Sequence, residues 1–201
     1  MSNLREQLSV LIPDSVAERV AAEYGSPRAL FTATEPELLS RGVPPGSARK
    51  LAAVADLARE WSSERMVPGA RFRSGSDIFR HYHLRLRDLQ KEQFWVVLLD
   101  GKNRVRQEVR VSEGSLTASL VHPREVFAPA IRASAGALVF VHNHPSGDPT
   151  PSVEDVEITR RLCSVAELVG IRVLDHVVVG DGSYVSFLER GLLSGAPSSR
   201  S

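Results

Sequence analysis

Two histidines two positions apart, His142 and His144, end the apolar run "GALVFVHNH", and a proline-rich segment then leads to Ser152 and Asp155. A strand over "GALVFVH" projects residues i and i+2 from one face, so both imidazoles aim at one point. The prolines of residues 145–151 let the chain reverse, and a helix starting at Ser152 places Asp155 on its first turn. From there its carboxylate can return toward the histidines. Two imidazoles and a carboxylate make a three-ligand zinc site, with a fourth position left for water. That open position is what separates a catalytic centre from a closed structural one. Taken singly, the residues have plainer readings. Ser152 and Asp155 are close to a capping box, and an acid favours a helix N-terminus. Capping accounts for Asp155 but not for two same-face histidines aimed at it.

A second His-x-His pair, His81 and His83, provides a control. It falls where a helix is expected, and i and i+2 on a helix lie about 200° apart, too far round to grip one ion. A hydrolytic zinc site also needs a general base for water. Glu92, directly before the core run "QFWVVLLD", is the candidate, with an ordinary exposed helix-end glutamate as its plainer reading. His176, in "LDH", reads either as a residue approaching the site or as a satisfied strand histidine. The single cysteine, Cys163, reads as core packing and excludes both a cysteine-rich zinc site and an internal disulfide. It also excludes the nucleobase-deaminase pattern, which needs Pro-Cys-x-x-Cys.

The elements that must position these residues follow from periodicity. Residues 1–65 read as a helical domain, with Gly25 closing one helix and Ser26-Pro27 opening the next. Thr34 and Glu37 have capping-box spacing, and Leu51, Val54, Leu57 and Trp61 form one stripe on a longer helix. Residues 66–76 read as a linker, and a helix is expected from Asp77 to about Leu89, with Ile78, Tyr82, Leu86 and Leu89 on one face. "QFWVVLLD" is a buried-strand run that turns at Asp100-Gly101. "RVRQEVRV" alternates, which predicts Val105, Gln107, Val109 and Val111 on one face and Arg104, Arg106, Glu108 and Arg110 on the other. A helix over "PREVFAPAIRAS", the strand "GALVFVH", a helix from Ser152 to about Val169 and strands over "RVLDHVVVG" and "YVSFL" complete residues 77–190. The class is α/β, and residues 191–201 read as a flexible tail.

At 201 residues and a formal net charge of +1, the chain can bury a real core, and no overall field demands a polyanionic partner. There is no N-terminal apolar signal segment and no apolar run near membrane-spanning length, so the expectation is a cytoplasmic protein without a membrane partner.

The motif His142-x-His144-Pro145 with Ser152 and Asp155 resembles the JAMM signature, His-x-His-Pro-x6-Ser-x2-Asp, of the MPN metalloprotease superfamily. The longer wording "HNHPSGDPTPS", with "VHPREVF" before it and "VLDHVVVG" and "YVSF" after it, resembles the RadC family over residues 76–190. The resemblance implies a JAMM/MPN-like mixed sheet flanked by helices, and His142, His144 and Asp155 as zinc ligands. It implies Ser152 holding the oxyanion or the water, and Glu92 as the upstream catalytic glutamate. Amide or isopeptide hydrolysis of a protein or peptide is the nearest precedent. A metal-dependent nuclease or DNA-repair protein, and a DNA-binding protein with a structural metal, are the other readings.

"ELLSRGVPPGSARKLAAVADLARE", residues 37–60, resembles the helix-hairpin-helix that precedes the catalytic domain in RadC proteins. Such hairpins offer backbone N–H groups to a DNA phosphate, with Arg41, Arg49 and Lys50 supplying positive charge here. The family hairpin usually reads Gly-hydrophobic-Gly; Gly42-Val43-Pro44 puts a residue without an N–H in the cradle. DNA binding and simple helical packing both remain open for this segment. A second basic stretch, Arg71, Arg73, Arg80, Arg85 and Arg87, is diluted by Asp77 and Asp88.

Overall fold

The computed structural model describes residues 3–114 and 121–193. The chain divides into two compact units, Met1–Glu64 and Arg65–Ser201. Among the described residues, no helix is long and apolar enough to cross a membrane.

The first unit holds five helices: α1 (Leu4–Ser9), α2 (Asp14–Tyr24), α3 (Pro27–Thr32), α4 (Glu35–Ser40) and α5 (Pro45–Ser63). Their ends follow local chemistry. Gly25 closes α2 in the left-handed conformation at φ 68°, which a side chain would resist. The Ser26 hydroxyl accepts the Ala29 N–H to open α3, and Thr34 does the same for Glu37 in α4. Val16, Val20, Leu30, Leu38, Val43 and Leu51 share the core. The expected α5 stripe is only half realised. Leu51 is buried, but Leu57 and Trp61 are 66% and 67% exposed, because the buried face runs through the small residues Ala48, Ala52 and Ala55.

In the second unit a five-stranded sheet is ordered β2-β1-β3-β4-β5. β1 (Gln93–Leu99) lies antiparallel to both β2 (Val105–Glu113) and β3 (Ala137–Asn143). β3 runs parallel to β4 (Arg172–Val179), which pairs antiparallel with β5 (Tyr184–Ser186). The parallel pair requires a crossover, which α8 (Val153–Val169) supplies. Helices cover both faces. α6 (Gly75–Leu86) packs Ile78, Tyr82 and Leu86 against Val97, Val139 and Val177. α7 (Pro123–Arg132) and α8 pack Val126, Phe127, Ile158 and Leu162 against Phe94, Leu138 and Phe140. Each such aliphatic side chain, fully buried, contributes roughly 1.5–3 kcal/mol of transfer free energy.

Two departures from the expected pattern are instructive. β2 does not alternate cleanly: the register slips between Leu98 and Leu99, where Leu98 opposes Gln107 but Leu99 opposes Val105. The extra residue, Arg106, is a bulge that puts Glu108 on the same face as Val105. Glu108, expected on the outer face, is therefore buried. Residues 66–74 form no helix or strand, yet they are held to the second unit. The N–H groups of Met66, Gly69 and Phe72 donate to Glu108, Val105 and Asn103, and Phe72 is buried. Of the expected tail, residues 194–201 lie outside the described residues, whereas Leu193 packs beside Cys163, Val178 and Phe187. Burial in that apolar cluster pushes the Cys163 thiol up to about 11, so it stays protonated.

Candidate metal centre

β3 delivers the histidines. Along it, Leu138 and Phe140 face α7 and α8, whereas Val139 and Val141 face α6. His142 continues the first row and is fully buried, and partly exposed His144 stands one residue beyond the strand. Asp155 arrives from the first turn of α8. The His142 and His144 Nε2 atoms lie 3.0 Å apart. Each is 3.2 Å from a different oxygen of Asp155, His142 from Oδ1 and His144 from Oδ2. The triad could hold a metal ion. Four-coordinate zinc with bonds of 2.0–2.1 Å has donor–donor edges of roughly 3.3–3.4 Å. The donor triangle is within a few tenths of an ångström of that size.

The protonation of the triad follows from its surroundings. The Thr159 hydroxyl is 2.6 Å from the Asp155 carbonyl oxygen and 2.6 Å from His176 Nδ1. A carbonyl can only accept, so the one hydroxyl proton goes there, and His176 Nδ1 must donate to Thr159. Burial holds the His176 pKa well below the usual histidine range, so the ring is neutral and its Nε2 bare. That Nε2 is 2.8 Å from His142 Nδ1, which therefore carries the proton. His142 Nε2 is left as a lone pair facing the site. On the other side, His144 Nδ1 is 2.7 Å from the Asp148 carbonyl oxygen and must donate to it. Neutral His144 likewise presents a bare Nε2.

Asp155 completes the acceptor set. Burial works against its ionisation, but contacts with His142, His144 and Ser152 hold its pKa well below the usual carboxylate range. Two lone pairs and an anion thus converge, an arrangement that calls for a proton or a cation between them. The Asp155 carboxylate in turn raises the His144 pKa, against the effect of burial. The donor set fits a divalent metal.

Ser152 and Asp155 form a full capping box, with the Asp155 N–H donating to Ser152 Oγ at 3.1 Å. In return the Ser152 N–H and Oγ–H both donate to Asp155 Oδ2 at 2.7 Å. The cap therefore also fixes the carboxylate that faces the histidines. Glu92 and Ser152 line a cleft of about 390 Å³ together with His144, Pro145, Ser146 and Asp155. Glu92 precedes β1 and is held by its neighbours. Asn143, between the two histidines and on the opposite face, accepts the Gln93 N–H at 2.8 Å and donates to the Lys91 carbonyl at 3.3 Å. The Gly114 N–H donates to Glu92's own carbonyl.

Asn143 and Thr159 were not apparent as site residues in the sequence. An asparagine between two histidines and a threonine one helical turn after Asp155 were the available signals. His176 both approaches the site and is hydrogen-bonded. His81 and His83, on α6, serve other partners: His81 meets Glu108, and His83 Nε2 accepts the Gly182 N–H. The hairpin cations also have partners in the first unit. Arg41 pairs with Glu23 and Glu37 and lies over the Tyr24 ring. Lys50 donates to the Leu11 carbonyl, and exposed Arg49 lies 3.8 Å from Glu35. Pro44 caps α5 and Pro45 begins it, so neither position offers an N–H.

The family model described as the RadC-like JAB domain matches residues 72–192. The chain belongs to the RadC-like JAB domain family. A protein named UPF0758 from Syntrophotalea carbinolica is 53% identical over 172 residues, covering 85% of this chain and 76% of that protein. One from Geobacter sulfurreducens is 51% identical over 173 residues, covering 85% and 76%. One from Methanococcoides burtonii is 41% identical over 181 residues, covering 90% and 79%. The RadC-like JAB match encloses Glu92, the His-His-Asp triad, Thr159 and His176, while the hairpin at 37–60 precedes it.

Proposed function

We propose that this protein is a zinc-dependent hydrolase of amide or isopeptide bonds, with His142, His144 and Asp155 as the metal ligands. The observation that supports the reading is the convergence of two imidazole Nε2 atoms and a carboxylate, each held by a second residue, in an open cleft lined also by Glu92. A zinc ion held there would supply Lewis acidity, making water acidic enough to lose a proton near neutral pH. Glu92 accepts that proton as the water oxygen attacks the carbonyl carbon, then passes it to the leaving nitrogen as the C–N bond breaks. The products are a carboxylate and an amine. Ser152 holds Asp155 in its ligand orientation; stabilising an oxyanion would require its hydroxyl to swing away from Oδ2.

Two variants test the division of labour. Glu92→Gln keeps size and shape, so it should retain the metal and the fold while turnover falls about 10²-fold or more. Asp155→Asn should lose metal affinity as well, because an amide is a weaker ligand than a carboxylate. Metal content and turnover are measured on a peptide library and on labelled DNA in parallel. Cleavage of DNA alone would replace this reading with a nuclease. Metal-dependent folding without turnover on either would replace it with a DNA-binding protein carrying a structural metal. Full activity of Glu92→Gln would remove Glu92 as the base.

A further inference from the structure

The opposite end of the sheet carries a second recess. β3 runs from Ala137 at this end to Asn143 beside the metal centre, roughly 20 Å at about 3.3 Å per residue. The recess, about 370 Å³, is lined by Arg71, Gly101, Lys102, Asn103, Arg104 and Arg172. Its four cations come from three separate stretches of chain: the segment before α6, the β1–β2 turn and the first residue of β4. They are therefore not one solvated face of a helix. Pairing of the backbone brings them together. Arg71 bridges to Arg104 across an antiparallel contact, and the Arg172 N–H donates to Gly136 at the head of β3.

The charges are only partly offset, by the Asp100 carboxylate, whose pKa is lowered first by the Arg104 N–H and further by the Arg104 charge. Among the described residues, Arg71, Lys102 and Arg104 form no side-chain salt bridge or hydrogen bond. The acid at the rim, Asp100, turns Oδ1 inward to accept the N–H groups of Lys102 and Arg104 at 2.8 and 2.9 Å. Arg172 is oriented by a neutral partner, since its guanidinium donates to Asn103 Oδ1 at 2.9 Å. Asn103 adopts the left-handed conformation at φ 60°, which asparagine tolerates better than most residues with a side chain. A glycine would turn the chain as well, but only a side chain with an acceptor can also aim Arg172. Like charges converging on one concavity repel one another, and an anion seated among them relieves that repulsion. Guanidinium forks present paired N–H donors that match the oxygens of phosphate.

We propose that this recess binds a phosphate group, free or carried on a nucleic-acid chain, independently of the metal centre. The test is NMR titration of the whole ¹⁵N-labelled 201-residue chain with inorganic phosphate, pyrophosphate and a short oligothymidylate. Saturable amide shifts are expected in Gly101 to Arg104 and in Arg172. The Arg71→Gln/Arg172→Gln double variant should weaken binding about tenfold or more, as loss of charge-assisted hydrogen bonds requires. Lys102→Gln, on an exposed turn where the fold is not at risk, should weaken it severalfold. His144→Ala should leave it unchanged. Oligothymidylate binding that is much tighter than phosphate and weakens steeply with salt assigns the phosphate to a nucleic-acid chain. Equal affinity assigns it to a free phosphate. Absence of saturable shifts at these residues with all three probes, or undiminished binding in both Lys102→Gln and the double variant, overturns the proposal.

Discussion

At the scale of single residues, the site works by fixing where protons are not. The relay from Asp155 carbonyl through Thr159 and His176 to His142 leaves one nitrogen bare, and Asp148 does the same for His144. Thr159→Val keeps the volume but removes the hydroxyl that makes His176 Nδ1 the protonated nitrogen. His176 can then donate through Nε2, compelling His142 to accept at Nδ1 and to protonate the very nitrogen that faces the site. Metal affinity should fall about 10–100-fold, the usual effect of losing a group that orients a ligand. Thr159→Ser should restore it, and competition with a chromophoric chelator measures both. Equal affinity in Thr159→Val would show that His142 holds its tautomer without the relay. The convergence of His142 and His144 was legible in the sequence because the strand rule puts i and i+2 on one face. Thr159 and His176 were not, because their contact spans 17 positions and their role exists only once α8 lies over β4.

At the scale of elements, the loop carrying His144 is positioned by the turn after β4. The Gly147 carbonyl accepts the Asp181 N–H, and the Gly182 N–H in turn donates to His83 on α6. At Gly180 the contact is too close for a side chain: a Cβ there would overlap the Gly147 carbonyl and come within 2.7 Å of the Pro149 ring. Gly180→Ala should therefore push loop 145–149 outward and carry the Asp148 acceptor away from His144. The expected result is metal binding weakened about tenfold and a lower unfolding temperature. Gly46→Ala, in α5 with open space at its Cβ, serves as the control and should leave metal binding unchanged. Undiminished metal binding in Gly180→Ala would mean that the loop relaxes without moving His144. The strands and helices around this loop were legible from periodicity and caps, since β3, β4 and α8 fall where apolar runs and Ser152 put them. The contact itself was not, because a glycine at a turn reads the same whether its α-carbon faces solvent or another backbone.

At the scale of the whole second unit, one buried acid ties together segments far apart in sequence. Glu108 on β2 accepts the Met66 N–H at 2.9 Å, contacts His81 at 3.2 Å and pairs with Arg85 at 3.3 Å. It thereby fastens α6 and the segment entering the unit to the edge of the sheet. Arg85 also lies 4.1 Å above the Trp95 ring, so the pair is closed over by an aromatic face. Alternation along "RVRQEVRV" concealed this, because a bulge at Arg106 inverts the faces and the sequence marks it with nothing but another arginine. Burial by itself would raise the Glu108 pKa. The His81 contact and the Met66 N–H outweigh it and bring the value down from 4.5 to about 2. A carboxyl whose pKa is depressed on folding stabilises the fold fully above its unfolded pKa, and loses that contribution as pH falls through the folded one. The window is therefore from 4.5 down to about 2, and the contribution is on the order of 2 kcal/mol. Urea unfolding at a series of pH values, with tryptophan fluorescence as the readout, should show wild-type stability declining across that window. Glu108→Gln should already be less stable at neutral pH by about that amount, since it leaves half-buried Arg85 without its counter-charge. Below pH 4.5 the variant should lose stability less steeply than the wild type. Parallel curves for the two proteins would show that the acid dependence comes from other carboxylates and that Glu108 is not what holds α6 to the sheet edge.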